Sequence, residues 1–166
     1  MKHKHLFQFR GALRPGNLYD YFLQRQENGV LAAREILIAI LEGMGEIWPD
    51  GSWVDSIAIG DAAYHEAVKR SDITDGIVPF HKLSQWMSYS LIEPLQVAGI
   101  KIINLDALTG LAEYRNGGLF IDTGTISLRD KTQLGKVHDP KSPLIVEWRA
   151  LTVTLLDQLA EQIRQH

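Results

Sequence analysis

Apolar residues recur at spacings of three and four through Val30, Ala33, Leu37, Ile40, Leu41, Met44, Ile47 and Trp48, the period of one face of a helix. Upstream, Arg14-Pro15-Gly16-Asn17 predicts a turn, with Asn17 as N-cap of a short segment carrying Leu18, Tyr19, Tyr21 and Phe22 that Asn28-Gly29 closes. Downstream, Pro49-Asp50-Gly51 predicts a second turn, and Gly60-Asp61 the start of a helix from Asp61 to Lys69 capped by Asp61. A further helix is expected over His81–Leu95, with Pro94 kinking or ending it. Ile100 to Ile103 has the β-branched character of a strand, and Leu119–Asp122, entered through Gly117-Gly118, is expected as a second. The last helix opens with Ser142 at the N-cap and Pro143 at its first position, and its stripe is Leu144, Trp148, Leu151, Leu155, Leu159 and Ile163. The expected fold class is therefore mainly α, a helical domain with a small two- or three-stranded β insert.

With 166 residues, the length predicts one domain, and at ~150 residues a domain buries roughly 70% of its unfolded surface, enough for a core without staples. There is no cysteine, which excludes a thiol nucleophile, a disulfide framework and Cys-ligated metal, and makes a reducing cytoplasmic setting the expectation. The net charge of −3 argues against a broadly basic nucleic-acid binder, although residues 1 to 14 hold Lys2, Lys4, Arg10 and Arg14 and no acid. The alternation of the first five residues, MKHKH, resembles an artificial start, and metal binding there is set aside. No apolar run approaches the ~18 residues of a membrane span.

Three segments carry candidate chemistry. In Val78–Leu95, Lys82, Gln85, Tyr89 and Glu93 recur at helical spacing beside Trp86, either as the solvated side of an amphipathic helix or as a cleft wall. As a wall, Trp86 or Tyr89 would stack a planar ligand and Lys82, Gln85 and Glu93 would hydrogen-bond it, with His81 a further candidate contact. In Leu108–Asp122, Glu113, Arg115 and Asn116 precede two glycines, and Asp122 ends the apolar run; a surface Glu–Arg pair on a hairpin competes with an acid placed for general-base work. In Ile145–Val153, Glu147 and Arg149 sit two apart in a helix apolar nearly all round, so they diverge and need partners elsewhere, with Arg115 and Glu113 as candidates. Asp61 and His65, at i and i+4 of an expected helix, form a two-ligand metal spacing with no third member.

Taken together, VPFHKLSQWMSYSLIEPL, LTGLAEYRNGGLFID and SPLIVEWRALTVTLLD resemble the C-terminal part of the uracil-catabolism protein family of fungi and bacteria, whose members are longer. The chain is then expected to be the later portion of a longer architecture acting in pyrimidine degradation. Glu113-Tyr114-Arg115 followed by Glu147-Trp148-Arg149-Ala150 is also similar to queuosine-salvage nucleoside hydrolases of the helical DNA-glycosylase type, although Asn116-Gly117-Gly118 departs from their pattern. That likeness implies hydrolysis of an N-glycosidic bond of a nucleoside- or nucleotide-like small molecule, with Asp122, Glu113 or Glu147 as the acid, Arg115 and Arg149 recognising anions, and Asn116 among the contacts. It implies neither cofactor nor metal; a homo-oligomer and a non-catalytic binding module of the same pathway stay open.

Overall fold

The computed structural model describes residues 3–48 and 51–166. The expected turn at Pro49-Asp50 therefore lies outside the described residues. The chain gathers into two compact units, the first built from residues 1–61 and 81–108, the second from 62–80 and 109–166. No described helix is long and apolar enough to cross a membrane.

Unit 1 begins with α1 (Lys4–Phe7), a two-residue hairpin of β1 (Gln8–Phe9) and β2 (Ala12–Leu13), and α2 (Leu18–Arg25). Asn17 precedes α2 as expected but does not cap it: its buried amide donates to the Phe7 and Ala12 carbonyls, both at 2.8 Å, and its Oδ1 accepts from Arg14 Nε. Satisfying several turn groups within the core outweighs capping one helical N–H. Asn28 and Gly29 take positive φ and turn the chain into β3 (Val30–Ala32). The long amphipathic helix starts only after that strand, as α3 (Ala33–Met44). Next come a hairpin of β4 (Ser52–Val54) and β5 (Ile57–Gly60), then α4 (Lys82–Val97) and β8 (Lys101–Ile103). Pro94 stays inside α4, which runs on to Val97.

β8 pairs in parallel with β3, Leu31 opposite Ile102. This strand was expected; its partner was not, because Val30 fits the helical period of the residues that follow. The core of unit 1 joins Leu6, Phe7, Leu18, Phe22 and Leu31 to Ile36 and Ile40 of α3, Leu95 of α4, and Ile100 and Ile102.

Unit 2 contains β6 (Ala62–Tyr64) and β7 (Ile77–Pro79), an antiparallel pair, with α5 (Tyr114–Asp122) and α6 (Pro143–Gln165). Two expectations are overturned here. Residues 61–69 are not a helix but a strand and turns, closed by the His65 N–H on the Gly76 carbonyl. Residues 119–122 are the last turn of α5 rather than a strand, and Gly117-Gly118 lies within that helix. Gly117 is selected by packing: a Cβ there would stand 3.0 Å from Thr152 Oγ1 and from the Trp148 ring, and its carbonyl accepts the Trp148 indole N–H at 3.1 Å. Among the described residues the β content is accordingly four separate two-stranded pairs, not one small insert. Ala63, Phe80 and Val146 form the core of unit 2, with Val78, Ala150 and Val153 around them.

Gly76 sits at φ +75° under the Tyr64 ring, which a Cβ would strike. Gly76→Ala combines left-handed strain of about 1–2 kcal/mol with displacement of that ring. Urea unfolding is expected to show a loss of about 1–3 kcal/mol; an unchanged midpoint would show that the hairpin tolerates the side chain.

Candidate functional site

In unit 1 the polar groups collect at the start of α4. The Asp61 carbonyl accepts the His81 N–H at 2.8 Å, and its carboxylate Oδ2 accepts the Lys82 N–H at 3.3 Å. Asp61 therefore caps α4, twenty-one residues away, where its charge meets the positive end of the helix, instead of a helix of its own. Gly60 gives the chain a buried positive-φ turn beside the imidazole, its built Cβ falling 3.5 Å from His81 Nδ1. His81 itself is left-handed, at φ 49° and ψ 34°, a conformation that costs a non-glycine residue roughly 1 kcal/mol or more and that clusters at functional positions. Its Nδ1 is buried without a hydrogen bond. Along α4, Gln85, Ser84 and Ser88 are buried, whereas Trp86 is 59% and Tyr89 37% exposed. The expected stripe thus divides: His81, Lys82 and Gln85 share the first turn, and Trp86, Tyr89 and Glu93 lie toward solvent.

Burial pulls the His81 pKa below its ordinary value, against an opposing pull from the Asp61 charge, so the folded ring is neutral at pH 7. Below the unfolded pKa of about 6.5 the unfolded chain takes up a proton that the folded chain refuses. This contribution to stability is complete above that pH and is lost as pH falls. His81→Asn, which keeps a residue tolerant of positive φ, is expected to flatten the fall in unfolding free energy between about pH 6.5 and 5. An unaltered slope would place the acid sensitivity elsewhere.

In unit 2 the divergence of Glu147 and Arg149 on α6 is as their spacing demands. Glu147 Oε1 lies 3.3 Å from His65 Nε2, at the end of β6, an ion-pair distance outside good hydrogen-bond angles. His65 Nδ1 accepts the Ala67 N–H, which leaves Nε2 to face the carboxylate. His65 is 9% exposed. Arg149 lays its guanidinium 3.9 Å over the Phe80 ring, a cation–π contact. The partner of Glu147 is therefore His65 and not Arg115.

The other expected residues take these places. Glu113 and Asn116 close a capping box on α5, Asn116 Oδ1 accepting the Glu113 N–H and its Nδ2 donating to the Leu111 carbonyl, both at 2.8 Å. Arg115 Nε donates to the Tyr114 hydroxyl at 3.0 Å, and its guanidinium lies over that ring. Asp122 is exposed in the last turn of α5.

Between α5, the segment 126–138 and the start of α6 lies a cavity of about 640 Å³, within the span typical of small-molecule sites. Glu147 and Trp148 belong to its wall, with the apolar Ile121, Ile145 and Leu151. Sequence reasoning missed His65 as a partner of Glu147, because the i,i+4 arithmetic with Asp61 assumed a helix. Among the described residues no group of three or more His, Asp or Glu is arranged to hold a metal ion.

The arrangement thus defines a helical protein with a largely apolar cavity whose wall bears Glu147, a carboxylate that stands beside the His65 imidazole. The chain belongs to the family described as "Protein of unknown function (DUF1688)", whose profile matches residues 1–166. It is similar to protein urg3 of Schizosaccharomyces pombe, 45% identical over 114 residues, which covers 68% of this chain and 27% of that protein. Uracil catabolism protein 4 of Lachancea kluyveri is 39% identical over 172 residues, covering 88% of this chain and 39% of that protein. A queuine tRNA-ribosyltransferase of Pseudomonas syringae pv. tomato is 34% identical over 92 residues, 54% of this chain and 24% of that protein. The chain spans between about a quarter and two fifths of the length of these curated relatives. No solved structure matches it.

Proposed function

We propose that this chain is the acid-bearing portion of a uracil-catabolism enzyme that hydrolyses the N-glycosidic bond of a ribosylated pyrimidine breakdown product. The observation that carries the reading is Glu147 on the wall of the cavity that Trp148 also lines, with His65 Nε2 3.3 Å from its carboxylate. Breaking a bond between ribosyl C1′ and nitrogen develops positive charge on the sugar, which a nearby carboxylate stabilises while it takes a proton from the attacking water. Net, the water oxygen ends on C1′ and its proton on the released nitrogen. His65 Nε2, 3.3 Å from Glu147 Oε1, helps to orient that carboxylate.

Of the three candidate acids, Glu113 is engaged in a capping box and Asp122 does not line the cavity, whereas Glu147 does. Trp148, pinned by its N–H, offers a ring face for a planar group. The names of the relatives, one for uracil catabolism and one for ribosyl transfer, support the substrate class. Incubation of the protein, and of a full-length relative, with ribosylated pyrimidines and their ring-opened products is expected to release free base or urea together with reducing ribose. Absence of release from every compound by both proteins would overturn the reading. A second reading, a binding module of the same pathway, is favoured by the exposure of Leu83 and Trp86 on α4, and predicts binding of these compounds without cleavage.

A further inference from the structure

We propose that Arg129 and Lys136 form an anion subsite in the cavity that bears Glu147, and that the substrate carries a phosphate monoester on its ribosyl group. The substrate's ribosyl character rests on the hydrolytic reading; the anion subsite rests on the cavity itself.

The cavity wall contains two cations, Arg129 and Lys136, and two acids, Asp130 and Glu147. The charges balance in number but not in availability. Asp130 turns its carboxylate onto its own loop, accepting the Thr132 N–H at 2.9 Å, the Thr132 hydroxyl at 2.7 Å and Gln133 Nε2 at 2.8 Å. These donors, Gln133 first, hold its pKa below the usual carboxylate range. Glu147 faces His65. His138 Nε2 lies 2.9 Å from the Gln133 carbonyl, which can only accept, so Nε2 donates to the loop rather than into the cavity. Arg129 and Lys136 have no ion pair or side-chain hydrogen bond among the described residues.

The remaining wall is apolar, with Ile121, Ile145 and Leu151 around the fixed Trp148 ring. Such a cavity fits a ligand with three parts: a planar body against Trp148, a donor-rich part toward Glu147, and an anion answered by the Arg129 fork and the Lys136 ammonium. A ribosyl group bearing a phosphate monoester on one side and a pyrimidine-derived N-substituent on the other has these parts. A neutral nucleoside would leave both cations unanswered.

The test uses equilibrium binding, which needs no turnover. Calorimetric titration of the protein with uridine 5′-monophosphate and with uridine is expected to show the monophosphate bound at least about 10-fold more tightly at low salt, with the gap narrowing as salt rises. In the double variant Arg129→Ala, Lys136→Ala, both at exposed positions, that preference is expected to vanish while uridine affinity holds and the circular dichroism spectrum is unchanged. Equal affinity for the two ligands in the parent protein, or a preference that survives the double variant, would each overturn the subsite, and inorganic phosphate binding as tightly as the monophosphate would overturn the phosphorylated ribosyl substrate. The two proposals fail separately. Cleavage that ignores the phosphate ends this one and leaves the hydrolytic reading intact, whereas a phosphate preference lost in the double variant without any cleavage does the reverse.

Discussion

Glu147→Gln is expected to lower the rate of base or urea release by about 10²–10⁴-fold, the range general acid–base groups supply. The substitution preserves shape and removes only the negative charge and the ability to take a proton. Because the Glu147 side chain is 61% exposed, its loss of charge should change stability within about ±0.5 kcal/mol, so a rate loss cannot be ascribed to unfolding. The contrast between saturating and limiting substrate separates the roles. A carboxylate that acts in the transition state lowers kcat and kcat/KM together, whereas one that merely binds raises KM alone. Release by the variant at the parent rate would remove Glu147 from the mechanism and return attention to Asp122.

Phe22→Ala is expected to cost about 3–5 kcal/mol, a large part of the 5–15 kcal/mol typical of a whole domain. Phe22 is 1% exposed and packs with its ring edge-on to Tyr21, centroids 5.6 Å apart, inside the cluster that joins α1, α2, α3 and α4. Truncation loses the transfer of the ring from water and leaves a void among Leu6, Phe7, Leu18 and their neighbours, side chains from several different elements that cannot all shift into one gap. Urea unfolding monitored by far-ultraviolet circular dichroism measures the change. A shift below about 1 kcal/mol would mean that the cluster collapses around the missing ring.

The three long helices were legible because each carries its own periodic stripe and, at Ser142-Pro143, a start signal that depends on local backbone chemistry alone. What escaped were choices decided by distant residues. Gly117-Gly118 has the local preference of a turn, yet Gly117 is required where α5 meets Trp148 and Thr152, and the capping box of Glu113 and Asn116 starts the helix just before it. Asp61 has the local character of an N-cap, and it is one, but for α4 across an intervening hairpin. At the site, the divergence of Glu147 from Arg149 was visible from their spacing, although Glu147 is exposed rather than buried. The identity of its partner was not, because His65 reaches it through tertiary structure and no sequence interval encodes the contact. Arg129, Lys136 and His138 belong to a segment with no periodicity at all, so only the cavity they line marks them.

The discontinuous layout has a temporal consequence. β3 pairs with β8 through Val30 and Lys101, 71 positions later (101 − 30), and the hairpin of unit 2 is made in between. At about 5–20 residues per second, a ribosome delivers β8 roughly 4–14 seconds after β3. Through that interval Leu31 and Ile36 lack the Leu95, Ile100 and Ile102 that later bury them. A nascent chain halted before residue 95 therefore presents an unfinished apolar surface, and chaperone capture should be strongest for stalled chains of that length and fall once Leu108 has emerged.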